Sequence, residues 1–337
     1  MIDRCVRAYP AWVVAVALTC GGIAAVPDAS AQTGERPVRI GRIVPNADSM
    51  ALPSSAALAE GMREHGHVEG RHFVWEIRLT GGRPERIAEC ASELVGKRVD
   101  LFVAAVCGAP LDTVRAATRS IPIVVASCDD DMVELGIIQS MNRPGGNVTG
   151  LSKLTPELAP KRLQLLKQVV PGATRIAVLW NPAYSAFKAD WRELRVAAVT
   201  LGVTLVPVEF RRPDELEPAF ATIARERVDA LITFSDVLTY SYAPRVAALT
   251  SAQRLPAMFA FRELPDAGGL MSYGPSIAGL WRRAASFIDR IIKGAKPGDL
   301  PIEQPIRLEL VINRKTANTL GLKTPQAVLL QADDVID

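Results

Sequence analysis

The sequence predicts an α/β protein of two doubly wound, parallel-sheet lobes joined by a hinge of three chain crossings. Three observations carry that expectation. Two consecutive runs of short apolar strands alternate with helices of roughly 10–15 residues, the pattern of a parallel sheet covered on both faces. The runs are separated by Asn142-Arg143-Pro144-Gly145-Gly146-Asn147, whose Pro-Gly-Gly core is a strong turn signal. A lone helix framed by strands then follows the second run, as in a chain that crosses back to the first lobe and returns.

Val38 to Val44 reads as the first strand, and a helix follows from about Ser54 to His65, with Ala57, Leu58, Gly61 and Met62 at helical spacing. Phe73 to Ile77 is a second strand. Pro84 to Lys97 is a helix with proline near its first turn. Asp100 to Ala104, Leu111 to Thr118 and Pro122 to Ala126 continue as strand, helix, strand. After the turn, Glu157 to Val170 is amphipathic and stops at Pro171-Gly172. Strands are expected at Arg175–Trp180, Thr204–Val208, Asp229–Phe234 and Ala257–Phe259, with helices between them, one of them Ala243 to Arg254. Gly269–Tyr273 as a strand, Ser276–Lys293 as a helix and Ile306–Ile312 as a strand complete the tail. The lobes are thus expected at 32–150 plus 274–297 and at 151–273 plus 298–337.

Residues 1–31 read as a cleaved secretory signal. Arg4 and Arg7 precede an apolar stretch from Ala11 to Val26, and Ala29-Ser30-Ala31 fits the small-residue cleavage pattern. The stretch is shorter than the roughly 20 residues of a membrane span. The residues before Cys20 fit a lipoprotein cleavage box poorly, so the expected mature chain begins at Gln32, without an anchor. A formal charge of +3 with scattered Lys and Arg argues against nucleic acid. The mature chain keeps Cys90, Cys107 and Cys128, an odd count that gives no disulfide framework. They read as reduced thiols, with a Cys107–Cys128 bridge between neighbouring strand ends as the exception.

Five spaced motifs match a known family: 66–71 (Gly-His-Val-Glu-Gly-Arg), 141–150 (Met-Asn-Arg-Pro-Gly-Gly-Asn-Val-Thr-Gly), 161–166 (Lys-Arg-Leu-Gln-Leu-Leu), 268–274 (Gly-Gly-Leu-Met-Ser-Tyr-Gly) and 308–313 (Leu-Glu-Leu-Val-Ile-Asn). Together they resemble the ABC-transporter substrate-binding family with the type I periplasmic-binding fold, over roughly Pro37 to Asp337. The resemblance implies a periplasmic monomer that takes a small-molecule ligand between its lobes. It implies delivery to an ABC permease with a separate ATPase subunit. Better-understood members bind aromatic amino acids.

Ligand should meet the loops after the strands, at the facing edges of both sheets. In the first lobe these carry Asn46, Cys107, Gly108, Asp129 and Asp131; in the second, Trp180, Asn181, Ser235, Asp236, Phe261 and Arg262, with Tyr273 at a crossing. Aromatic residues gather there: Trp180, Tyr184, Phe234, Tyr240, Tyr242, Phe259, Phe261 and Tyr273. They favour a flat ligand, although Phe234 and Phe259 also read as ends of core strands. Trp180 is the expected fluorescent reporter, since Trp191 and Trp281 lie within helices. The loop at Cys107-Gly108-Ala109-Pro110 opens a helix, where free N–H groups suit a carboxylate. Cys107 and Ala109 depart from the family's Gly-Gly-Thr-Pro pattern, removing the hydroxyl. Asp129, Asp130 and Asp131 suit an ammonium group, with Asp131 alternatively a cap. Arg262 has two readings, a ligand clamp or an inter-lobe ion pair. A flat zwitterion fits this set.

His65, His67 and His72 cluster, but they read as surface residues rather than metal ligands, and no cofactor is expected. No Walker or dinucleotide fingerprint is present. A two-domain lyase or racemase remains as a rival class; it needs an acid–base pair, for which the sequence offers carboxylates and lone thiols, with a Cys107–Cys128 pair as the arrangement to check. A ligand-sensing subunit for a signalling receptor is a third class.

Overall fold

Loops that follow parallel strands gather at one edge of a sheet, so the strand order decides which residues meet. A computed structural model describes residues 36–337 apart from 106, 154–157, 183–186, 305 and 306. The expectations for residues 1–31, Cys20 and Tyr184 lie outside the described residues.

The first run comprises β1 (Val38–Val44), α1 (Pro53–Glu64), β2 (Phe73–Leu79), α2 (Ile87–Gly96), β3 (Leu101–Ala104), α3 (Ala109–Ala117), β4 (Ile123–Cys128) and β5 (Val148–Ser152). Its strands form one sheet in the order β2-β1-β3-β4-β5, with every neighbouring pair parallel. β4 is buried throughout, as a central strand covered on both faces must be. β5 can lie against it because residue 150 is glycine. With φ at +134°, a Cβ there would stand 2.0 Å from the Val125 carbonyl oxygen.

The second run comprises α4 (Leu158–Val169), β6 (Arg175–Trp180), α5 (Phe187–Leu201), β7 (Thr204–Glu209), α6 (Leu216–Arg225), β8 (Ala230–Thr233), α7 (Val237–Ser241), α8 (Ala243–Ala252), β9 (Ala257–Phe259), α9 (Glu263–Asp266) and β10 (Met271–Pro275). The tail adds α10 (Ile277–Ile292), β11 (Leu308–Asn313), α11 (Arg314–Thr319), α12 (Gln326–Leu329) and β12 (Asp334–Ile336). The second sheet runs β12-β11-β10-β9-β8-β6-β7.

The crossings explain one departure from an all-parallel expectation. After β10 the chain leaves for the first sheet, where α10 packs on α1 and β4. It returns from that side, so β11 enters beside the end of β10 and pairs with it antiparallel. β12, too short to read from the sequence, then adds parallel to β11.

α10 is the element that ties the tail to the first sheet. Ile277, Leu280, Trp281, Ala284, Ala285 and Ile288 recur at helical spacing and are buried. Ser276 caps its start, accepting from the Gly279 N–H at 3.2 Å. Gly61 permits the close contact with α1, since a Cβ there would meet the Arg282 carbonyl oxygen at 2.6 Å. One buried apolar cluster runs from Ile40, Leu58 and Phe73 of the first sheet's side to Leu179, Phe220 and Phe261 of the second's.

Candidate functional site

A cavity with about 640 Å³ of empty space, open to solvent, lies where the strand ends of the two sheets face each other. β1 brings Arg42 and Val44 to it, and the loop after β4 brings Ser127 and Asp129. Lys153, directly after β5, and Trp281, in α10, come from the crossings; Ser235, Tyr240 and Phe261 come from loops and α7 of the second lobe.

Arg42 shares a strand face with Ile40 and Val44 and is 3% exposed. Its guanidinium carbon lies 5.4 Å from the Trp75 ring centroid and 4.9 Å from that of Trp281. Nη2 donates to Ser55 Oγ at 3.1 Å, and that hydroxyl donates to the Ser49 carbonyl at 3.0 Å. Among the described residues no carboxylate pairs with Arg42. Burial alone lowers its pKa to about 10.

The other lining charges are paired with each other. Lys153 Nζ is 2.9 Å from Asp129 Oδ2, donates to Ser235 Oγ at 3.0 Å and lies 5.3 Å from the Phe261 ring centroid. Phe261 meets Tyr240 edge to face at 5.3 Å between centroids. Behind Tyr240, burial pushes the Glu263 carboxyl up to about 7.

A second, mainly apolar chamber with about 1140 Å³ of empty space shares Val44, Pro45, Val103, Ala105 and Val237 with the first. Phe102, Leu111 and Val114 line it from the first lobe, Leu238 and Asn181 from the second. Among the described residues its one charged lining side chain, Arg211, pairs with Glu209 at 2.8 Å.

The cysteine expectation is corrected. Cys107 and Cys128 form a disulfide, with Cα atoms 5.0 Å apart, and among the described residues Cys90 is the free thiol, buried. β3 and β4 are parallel neighbours, so the loop after one lies beside the end of the other. The disulfide removes the thiol pair that a proton-exchanging enzyme would use. Gly108 opens α3 at φ 68° and ψ −153°, and a Cβ there would press on Asp130 Oδ2 at 3.3 Å.

Asp129, Ser235 and Phe261 are brought together at the first cavity, and Asn181 at the second. Others are engaged elsewhere. Asn46 Nδ2 donates to Tyr242 Oη at 2.9 Å, a bond between the lobes. Asp131 is exposed and accepts from the Val133 and Glu134 N–H groups, so it caps a turn. Asp236 caps α7 through Leu238 and Thr239 N–H, and burial pushes its pKa up to about 6. Arg262 fits neither of its two readings: it pairs with Asp266 at 3.2 Å and Asp334 at 2.9 Å, both in the second lobe. Trp180 packs edge to face on Trp191 at 5.7 Å between centroids and lies outside both chambers. Tyr273 likewise lies outside them, and its carbonyl accepts from Arg162 Nε at 2.7 Å. Arg162 is fully buried, and near it burial pushes Asp190 up to about 7.

His67 also differs from a surface reading, since Nε2 lies 2.8 Å from Asp289 Oδ1 on α10. Among the described residues no cluster of three or more His, Cys, Asp or Glu is arranged to hold a metal.

Arg42, Lys153, Trp75 and Trp281 are the residues that the sequence reading missed. For Arg42 a signal existed: a cation on the same strand face as Ile40 and Val44. The tryptophans gave none, because what brings them beside Arg42 is the pairing of β2 with β1 and the packing of α10 on α1 and β4.

A family model described as "ABC transporter substrate binding protein" matches residues 42–336. The chain is 24% identical over 276 residues to a "Tyrosine-binding protein" of Clostridioides difficile (strain R20291), covering 82% of this chain and 77% of that one. Among solved structures, a conserved domain protein from Vibrio cholerae O1 biovar El Tor superposes with a TM-score of 0.79 at 24% identity, over 89% of this chain and all of the other. An ABC domain in complex with L-Trp from Streptococcus pneumonia superposes with a TM-score of 0.77, also at 24% identity and over the same shares. These likenesses show the fold, that of the type I periplasmic binding proteins.

Proposed function

Because the chain belongs to the ABC transporter substrate binding protein family, we propose that it is the extracytoplasmic receptor of an ABC importer, capturing a small ligand between two lobes. The observation that carries the reading is the solvent-open cavity between the strand ends, whose lining comes from both sheets and from two of the crossings. A ligand there touches both lobes at once and so stabilises their approach. In this reading the moving bodies are residues 32–150 with 274–297 and 151–273 with 298–337. The close packing of α10 on α1 supports that division.

The reading includes a cleaved leader over residues 1–31, a monomeric periplasmic product, an ABC permease partner and a separate ATPase subunit. Among the described residues no helix is long and apolar enough to cross a membrane. The ligands in the relatives' names, tyrosine and L-Trp, make aromatic amino acids and their close derivatives the first class to test. The cavity offers such a ligand Phe261, Trp281 and Tyr240 for its flat part and Arg42 for its carboxylate.

The test is twofold. Small molecules released from the purified protein on denaturation are identified by mass spectrometry. The ligand-stripped protein is then titrated with each, with small-angle scattering as the readout of closure. A retained molecule that binds and contracts the particle supports the reading. A protein that retains nothing, and responds to nothing in a broad screen of amino acids, organic acids, sugars and purines, sinks it.

A further inference from the structure

Among the described residues, three that line the first cavity carry charge: Arg42, Asp129 and Lys153. Asp129 and Lys153 satisfy each other at 2.9 Å, with side chains 13% and 3% exposed. Arg42 lines the same cavity as a buried cation, with no carboxylate partner among the described residues. Among the described residues its side chain donates one hydrogen bond, to a neutral hydroxyl, Ser55 Oγ. The described lining therefore carries one uncompensated positive charge, which a single carboxylate would neutralise through two parallel N–H···O bonds.

An ammonium group has no comparable place. Asp131 is turned out to solvent as a cap. Asp130 does not line the cavity and is already engaged. Asp129 would serve only if Lys153 were displaced, which strands a cation that is 3% exposed. An α-amino acid thus brings a second positive group into a cavity where, among the described residues, the one lining carboxylate is taken. Beyond Val44 and Val103 the adjoining chamber is walled by Phe102, Leu111, Val114 and Leu238, which suits an apolar body without charge.

Resting on the capture reading above, we propose that the preferred ligand is an organic monocarboxylate without an amino group. Its carboxylate lies on Arg42 between Trp75 and Trp281, and its aryl or alkyl part extends toward the apolar chamber. Selectivity against the matching amino acid comes from the Asp129–Lys153 pair, which keeps the acidic position occupied.

The probes are pairs that differ in the amine: 3-phenylpropanoate against L-phenylalanine, and 3-(indol-3-yl)propanoate against L-tryptophan. Each is titrated calorimetrically into the ligand-stripped mature protein. The expected result is at least tenfold tighter binding of the acid in each pair. Arg42→Gln should weaken acid binding at least thirtyfold, and Arg42→Lys should retain part of it. Should the glutamine variant fail to fold, the lysine variant decides, with a loss of threefold or more expected. Equal or tighter binding of the amino acids overturns the inference, as does acid binding indifferent to Arg42. If no probe binds, the monocarboxylate inference falls. The capture reading is then judged separately, by whether any retained small molecule rebinds and contracts the particle.

Discussion

Lys153 donates a 3.0 Å hydrogen bond from Nζ to Ser235 Oγ, so a residue at the first crossing holds the loop after β8. The same ammonium is 2.9 Å from Asp129, on the loop after β4. One side chain therefore joins both sheet edges at the place where the chain passes between them.

Breaking that pair from one side should be costly. Lys153→Met leaves Asp129 buried beside an apolar side chain, and a loss of about 3 kcal/mol is expected. Adding Asp129→Asn removes the stranded charge and should restore much of the loss. Urea melts of the two single variants and the double variant test this; additive losses would show that the residues do not interact.

Trp281, rather than Trp180, is the expected fluorescent reporter. It lines the cavity 4.9 Å from the Arg42 guanidinium, whereas Trp180 packs on Trp191 outside both chambers. Ligand at Arg42 should change tryptophan emission in the wild type and in Trp180→Phe, and far less in Trp281→Phe. A signal that disappears with Trp180 alone refutes this map of the cleft.

The disulfide should stabilise the first sheet where the loop after β3 meets the end of β4. It closes a loop between Cys107 and Cys128, a sequence separation of 21. For a loop of that size the chain-entropy contribution is about 3 kcal/mol. Cys107→Ser/Cys128→Ser should lose roughly that amount under oxidising conditions. Equal melting of the two proteins without reductant would rule it out.

Strand positions were legible because burial on both faces demands continuous apolar runs, as in Ile123 to Ala126 and Ile176 to Leu179. Even the return of the tail to the first sheet could be read, from one amphipathic helix framed by strands. The direction of β11 could not, since a run of apolar residues carries no sign of which way it pairs. Site residues were legible only where they sit on loops after strands, as Asp129, Ser235 and Phe261 do. Arg262 follows a strand in the same way, yet Asp334 on the unanticipated β12 captures it. Arg42 depends on tryptophans from two other elements, which nothing local to β1 announces.

Glu263 should make stability fall as pH rises. Burial raises its folded pKa from 4.5 to about 7, against the opposing effects of Arg262 and Tyr240. The folded state then binds the proton more tightly than the unfolded chain. The contribution is fully present below about pH 4.5 and is lost as pH rises through about 7, on the order of 3 kcal/mol. Glu263→Gln lacks this loss. Relative to the wild type, the variant should therefore gain stability between pH 5 and pH 8. Parallel melting curves of the two proteins across that range would exclude the effect.

Asn46 and Tyr242 provide the last test, because their 2.9 Å bond joins the loop after β1 to the end of α7 without lining the first cavity. Asn46 Oδ1 also accepts from Ser49 N and Oγ, each at 2.9 Å, so its Nδ2 is held pointing at Tyr242. Tyr242→Phe removes the hydroxyl and keeps the ring. In the capture reading this bond joins the two lobes as they approach, so losing it should lower the closed population before ligand arrives. Apparent affinity falls with the fraction of competent protein. A neutral hydrogen bond contributes about 0.5–1.5 kcal/mol, which corresponds to a roughly two- to twelvefold weaker Kd. The change should appear together with a larger radius of gyration in the ligand-free protein and an unchanged one at saturation. A weaker Kd with no change in the ligand-free radius would place the effect at the ligand instead. An unchanged Kd would show that the bond contributes nothing to closure.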